Sequence, residues 1–428
     1  MKSRRSFIQK SLAFSGAISL GAFDLKAKSN SISEALLNLN ETPLGEAILN
    51  EKLWTGIQQA YTTSNNLINL NNGGVSPQPL VVQNALERYN QLSNEAPSYY
   101  MWRVLDKDRE ALRRKLADLA GCNPETIAIN RNATEGLATA ILSVPLQKGD
   151  EVILSKFDYP AVINTWKQRQ ERDGIIIKWV DLNLPSENAS ELIDVYTSAF
   201  TKKTKVVQLT HMINWTGQVL PIKEICNSAR EQGVISIVDG AHSFAHLDFK
   251  IDELGCDYFA TSLHKWLCAP FGTGLLYVRK ELIDKTWAIF PSENPMSSDI
   301  RKFEHLGTRS FPSEMAIGTA INFHEAIGSE LKTARLFYLK KYWTDQVKDL
   351  PKIQFYSPLS SEFSGAICHF GIDEMEGLDI DKYLFKNYRI HCVAMKHNGI
   401  NGVRIAPNVY TRTKDLDVLV SAIQHLVK

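Results

Sequence analysis

The chain has 428 residues, 44% of them hydrophobic and 22% charged, with 48 basic side chains against 47 acidic ones. That length supports two domains with sizeable cores, and the charge balance removes any electrostatic ground for a nucleic-acid partner. Six cysteines (Cys122, Cys226, Cys256, Cys268, Cys368, Cys392) lie scattered without C-x-x-C spacing, which argues against a zinc site, a dithiol redox motif or a disulfide framework, and no metal ligand is assigned.

Residues 1–28 read as an export segment. Lys2, Arg4 and Arg5 open it, a mildly apolar run from Ser11 to Phe23 follows, and Ala27 offers a cleavage edge. The arginine pair before Ser6-Phe7-Ile8 resembles a twin-arginine signal, which predicts an exported, periplasmic protein. The run is too short and too rich in Gly and Ser to span about 30 Å of bilayer hydrocarbon, so no stable membrane span is expected. Residues 29–75 carry weak signals and are assigned to an N-terminal arm or to part of a smaller domain.

Residues 76–310 form the expected large domain. Leu112, Leu116 and Leu119 give Asp106 to Ala120 a helical period. Short apolar strands are predicted at 127–129, 151–154, 175–180, 205–209, 234–238, 257–261 and 273–278. Helical patterns separate several of them, at 134–144, 159–172, 190–200 and 222–232. Strands alternating with helices predict an α/β fold with a mainly parallel seven-stranded sheet covered on both faces. The last two strands are too close for a helical crossover, so one of them runs antiparallel near an edge. Residues 311–428 predict a smaller α+β domain. Its helix begins near Ala316 and could run on to Val347, strands lie at 365–370 and 390–394, and a last helix covers 414–427.

The chemistry centres on Thr261-Ser262-Leu263-His264-Lys265-Trp266 and the Gly-containing stretch after it. A lysine that forms a Schiff base must lose its proton, which burial among donors and other cations promotes. Ser262 and His264 can donate to a phosphate. A lysine in a surface turn is the alternative. Val234–Asp239 is a buried-type strand ending in a carboxylate, followed by Gly240-Ala241-His242, at the strand end where ligands of open sheets bind. Asp239 could equally cap a turn, and His242 could be a core histidine. In Asn130-Arg131-Asn132-Ala133-Thr134-Glu135-Gly136 the N–H groups of Ala133 and Thr134 and the Thr134 hydroxyl open a helix, which suits an anion. Thr134 could instead be a plain N-cap. Tyr159 follows another strand end and could lie against a flat ring or simply pack.

In this order, these segments resemble the class V aminotransferase family of pyridoxal phosphate (PLP) enzymes of fold-type I, and most closely its isopenicillin N epimerase-like branch, from about Asn69 to the C-terminus. The resemblance implies PLP as cofactor and Lys265 as its Schiff-base lysine. It assigns Asp239 to the pyridine nitrogen, His242 and Asn214 to the neighbourhood of the ring oxygen, and Tyr159 to ring stacking. Ala133, Thr134, Ser262 and His264 fall at the phosphate, and Thr308 of Gly307-Thr308 reaches the phosphate of a second subunit, which implies a homodimer. Arg404 matches the arginine that grips a substrate α-carboxylate. Asn72, in Asn71-Asn72-Gly73-Gly74, lies on the loop that closes over the substrate, and Arg309 adds a second anion contact. The implied activity is epimerase- or aminotransferase-like, on an amino acid or small peptide. The alternative is β-elimination of the cysteine desulfurase or C–S lyase kind, which would need a reactive thiol. Cys392 lies in the right region, but its apolar surroundings read as a strand, and free cysteine is usually a buried structural residue.

Overall fold

Side-chain alternation along seven strands accounts for the larger part of the molecule. The protein is described from a computed structural model, which covers residues 32, 34–39 and 41–428. The predicted export segment lies outside the described residues. The strands of the large sheet are β2 (Ile127–Asn130), β3 (Glu151–Ser155), β4 (Ile176–Val180), β5 (Thr204–Thr210), β6 (Ile235–Asp239), β7 (Tyr258–Ser262) and β8 (Gly274–Val278). Their order is β2-β8-β7-β6-β5-β3-β4. β8 is antiparallel to both β7 and β2, and the remaining pairs are parallel.

Successive strand residues point to opposite faces, and each face has its own core. Ile153, Val207, Val238, Phe259 and Leu275 point to one side, where they meet Leu112 and Leu116 of helix α1 (Asp106–Ala120) and Ile225 of the helix Ile222–Glu231. Val152, Leu154, Val206, Ile237 and Leu276 point to the other, against Leu137 of α2 (Ala133–Ser143) and Trp166 of α3 (Pro160–Asp173). Burial on both faces explains why these strands read as continuous apolar runs.

Helix α4 (Phe311–Ile327) is followed by α5 (Ser329–Val347). The long helical stretch of the sequence is therefore two helices, broken at Gly328, whose φ of 89° and ψ of 137° no L side chain adopts easily. A four-stranded antiparallel sheet then forms in the order β12 (Val393–His397), β13 (Ile400–Ile405), β10 (Cys368–Ile372), β9 (Ile353–Phe355). Trp343 of α5, Ile380 and Leu384 of α6 (Gly377–Tyr388), and Leu419 of α7 (Thr413–Leu426) pack on it. The N-terminal segment joins this unit: β1 (Ile68–Asn69) pairs in parallel with β11 (Ile390–His391), and Leu70 enters the same core. Among the described residues no helix is long and apolar enough to cross a membrane.

Candidate active site

The carboxyl ends of β2, β3, β5, β6 and β7 lie along one edge of the sheet, and the loops leaving them carry the polar groups singled out by sequence. β7 delivers Ser262 and then the turn holding His264 and Lys265. β6 ends at Asp239 and its following turn presents His242. Lys265 Nζ lies 3.1 Å from His242 Nε2 and 5.9 Å from the centre of the Tyr159 ring. Burial pulls the Lys265 amine down to about 8, against the pull of nearby Asp239, and Arg404 adds to the lowering. Asp239 is buried and accepts from Ala241 N–H at 2.9 Å. Burial pushes its carboxyl up, with Ala241 N–H and Lys265 opposing.

The start of α2 stands beside this pair. Asn132 caps the helix by accepting from Glu135 N–H at 2.9 Å. The capping alternative for Thr134 is therefore filled by its neighbour, and Thr134 stays exposed at the first turn. Ala133 N–H donates to Ser262 Oγ at 2.9 Å, which joins the helix start to the lysine turn. A helix N-terminus with an adjacent hydroxyl suits a phosphate.

Arg404 on β13 reaches the site from the smaller sheet. It is buried, and donates from Nη1 to Asn214 O and from Nη2 to Asn71 Oδ1, each at 3.0 Å. Among the described residues no carboxylate pairs with it, and its Nε is buried without a partner. Burial lowers even this guanidinium to about 10. Asn214 Oδ1 and His264 Nδ1 are likewise buried without partners. Unpartnered buried groups of this kind are satisfied by a ligand or water. An amine lowered in pKa, a carboxylate on the neighbouring strand end, a helix start and an unpaired guanidinium together fit PLP bearing an amino-acid substrate.

Two sequence expectations are placed elsewhere. Asn72 is fully buried and its amide is used up in the loop: Nδ2 donates to Ala406 O at 2.8 Å and to Asn69 O, and Oδ1 accepts from Tyr410 O–H and Asn69 Nδ2. Its neighbour Asn71 is the residue that touches Arg404. Arg309 is taken by Glu314 at 2.7 Å and Asp106 at 3.0 Å, so it is no free anion contact. Thr308, expected at the phosphate of a second subunit, is exposed on the loop before α4.

Sequence reasoning also passed over Asp158 and Trp266. Asp158 is buried after β3, accepts from Ser155 N–H at 2.8 Å and Thr210 O–H at 2.7 Å, and is pushed by burial up to about 7. Its signal was its place one residue before Tyr159 at a strand end. Cys392 sits between β11 and β12, buried, with its thiol donating to Asp381 Oδ1 at 3.2 Å. Burial and that carboxylate push the thiol pKa well up, opposite to the shift an attacking thiol needs.

Residues 68–419 match the family model described as aminotransferase class-V. Isopenicillin N epimerase of Streptomyces clavuligerus is 28% identical over 378 residues, 84% of this chain and 95% of the relative. A probable cysteine desulfurase of Halalkalibacterium halodurans is 28% identical over 345 residues, 73% of this chain and 80% of the relative. Among solved structures, a C-DES mutant with glycine covalently linked to its PLP cofactor superposes with a TM-score of 0.76 at 21% identity, covering 85% of this chain and 98% of that one. The superposition establishes the shared fold, a mainly parallel α/β sheet with a smaller second unit.

Proposed function

The chain belongs to the class V aminotransferase family, and from that premise we propose that it acts on the α-carbon of an amino acid or short peptide, in an epimerase- or aminotransferase-like reaction, through a Schiff base at Lys265. It is a PLP-dependent enzyme of fold-type I. Bound PLP supplies an electron sink for the charge that develops at the substrate α-carbon.

The chain's own residues divide the remaining work. Asp239 would hold a proton on the cofactor's ring nitrogen, since its buried position favours a shared proton over a solvated carboxylate. Lys265, with an amine lowered to about 8, exchanges a proton at Nζ near neutral pH. His242 and Asn214 would hold the ring oxygen, Tyr159 would cover the ring, and Ala133, Thr134, Ser262 and His264 would hold the phosphate. Arg404 binds the substrate α-carboxylate through its planar fork, with Asn71 holding the fork in place. A homodimer in which Thr308 serves the partner's phosphate, and export by the twin-arginine route, belong to the same proposal.

The observation that carries this reading is the buried Arg404 guanidinium without a carboxylate partner, close enough to Lys265 to lower its pKa. The desulfurase-like alternative lacks a thiol of that kind, because Cys392 is buried and held protonated. Borohydride reduction of purified protein followed by peptide mass spectrometry is expected to leave a pyridoxyl group on Lys265 and none in Lys265→Ala. An amino-acid panel in D2O then separates the outcomes: deuterium at Cα with loss of chirality for epimerisation, a keto acid for transamination. Sulfide release that vanishes in Cys392→Ala would overturn the leading reading.

A further inference from the structure

A run of buried rings behind Lys265 determines which nitrogen of His242 carries its proton. Ala366 N–H donates to His246 Nε2 at 2.8 Å, so that nitrogen is bare. Neutral imidazole has one N–H, and in His246 it must be Nδ1, which meets His242 O at 2.8 Å. The His246 ring stacks on the Trp266 indole with centroids 3.7 Å apart and planes 29° apart. Trp266 is fully buried and its Nε1–H is directed at His242 Nδ1, 3.4 Å away. An indole nitrogen only donates. At that length the bond is weak alone, and the stack on His246 holds the indole in plane.

His242 Nδ1 is therefore an acceptor, and its proton lies on Nε2, the atom 3.1 Å from Lys265 Nζ. An ammonium has no lone pair to receive it, so the contact requires Lys265 as the neutral amine. Burial is the main force against a second proton on the His242 ring, and the Arg404 guanidinium adds to it, as Lys265 and His246 would whenever they carry a proton.

We infer that Trp266, held by its stack on His246, is a positioning residue that fixes His242 as the Nε2–H tautomer, making His242 a hydrogen-bond donor toward the reacting nitrogen of Lys265 rather than a base. The inference rests on the reading of Lys265 given above. It leaves Lys265 as the proton carrier at this end of the site. It also spans the two sheets, since Ala366 lies just before β10. Gly365 makes that span possible: a Cβ there would overlap His246 Nε2.

The test is a long-range proton–nitrogen NMR correlation on the full-length protein labelled with 15N-histidine, with PLP bound and after its removal. Protonated and bare ring nitrogens resonate far apart, and the His242 signals are assigned by their loss in His242→Gln. The wild type is expected to show Nε2–H and bare Nδ1 in both states. Trp266→Phe keeps an aromatic ring against His246 and removes the donor, so the preference for Nε2–H is expected to fall about two- to fivefold, the effect of one long hydrogen bond. Nδ1–H in the wild type, or an unchanged ratio in Trp266→Phe, would overturn the inference. If Trp266→Phe does not fold, Gly365→Ala displaces His246 and is expected to give the same mixed tautomers, and an unchanged ratio there overturns it equally. The cofactor-free spectrum needs no chemistry at Lys265. A missing pyridoxyl adduct therefore defeats the proposed function while the tautomer result stands or falls separately.

Discussion

Arg404 gives two N–H donors to neutral oxygens, Asn214 O and Asn71 Oδ1, and meets no carboxylate among the described residues. A buried guanidinium in that state gains most from an anion that brings two oxygens. Arg404→Gln is expected to lower kcat/KM for α-amino acids by about 100- to 1000-fold, mainly through KM, as loss of a charge-assisted pair implies. The same variant should change little for an amino-acid amide, and an equal loss on both substrates would remove the carboxylate role. Lys265 makes a second prediction at this scale. With its amine lowered to about 8 by burial, cofactor-free protein should react with an amine-acylating reagent at Lys265 half-maximally near that pH. Surface lysines, near 10.5, should lag. Peptide mapping across a pH series reads both. The gathering of Lys265, Asp239 and Arg404 at one place was legible because each sits at a fixed point of a motif. The exchange of Asn71 for Asn72 was not, since two adjacent identical amides differ only in which way the loop turns them. Arg309 was misread because its partners, Asp106 and Glu314, lie on two different helices and meet only in the fold.

Elements buried on both faces were legible because no polar side interrupts them, and the strand ends fell within a residue or two of the expected places. The segments that escaped are amphipathic or interrupted. β13 carries Asn401, Gly402 and Arg404 among its apolar residues, so neither a run nor a clean alternation marks it. Helix α6 mixes Asp379, Asp381, Lys382 and Lys386 with its buried Ile380 and Leu384, and its signal is diluted. The break between α4 and α5 was also hidden, because a single Gly inside a helical pattern is tolerated in many helices. Here Gly328 has φ 89° and ψ 137° with open space around its Cα. Substitution therefore acts through the backbone alone. Gly328→Ala is expected to lower stability by about 1–3 kcal/mol, the cost of forcing a side chain into that region. Urea denaturation measures the loss, and the cofactor absorbance of the folded protein should stay as in the wild type. An unchanged midpoint would mean that the two helices can join without strain.

The molecule as a whole buries lysines other than Lys265 without opposite charges. Lys332 of α5 donates to Trp266 O and meets His324 Nδ1 at 3.2 Å. Lys340, two turns on, donates to Pro358 O at 2.5 Å and Ser364 Oγ at 2.6 Å. Burial lowers both amines from 10.5 to about 8. Each is therefore half-neutral in the folded chain at a pH where the unfolded chain still holds the proton. Stability depends on pH through that difference in bound protons. Below about 8 the folded state carries the full burden of a buried ammonium. Between about 8 and 10.5 the unfolded state binds more protons, and folding becomes more favourable as pH rises. Buried thiols such as Cys256 and buried phenols such as Tyr196, pushed upward by burial, act in the opposite direction above their ordinary values and mask the effect in the wild type alone. A difference measurement separates them. Lys340→Met removes one titrating amine and leaves the thiols and phenols in place. Its stability deficit against the wild type should be small near pH 7, where the lost hydrogen bonds are offset by the lost buried charge. By about pH 10 the deficit should grow by up to about 3 kcal/mol, the equivalent of a shift of that size. Urea midpoints of the two proteins at a series of pH values give the curve. A deficit that stays constant across the range means that Lys340 keeps its ordinary pKa, and that water or a local opening of the Pro358–Ser364 loop relieves the charge.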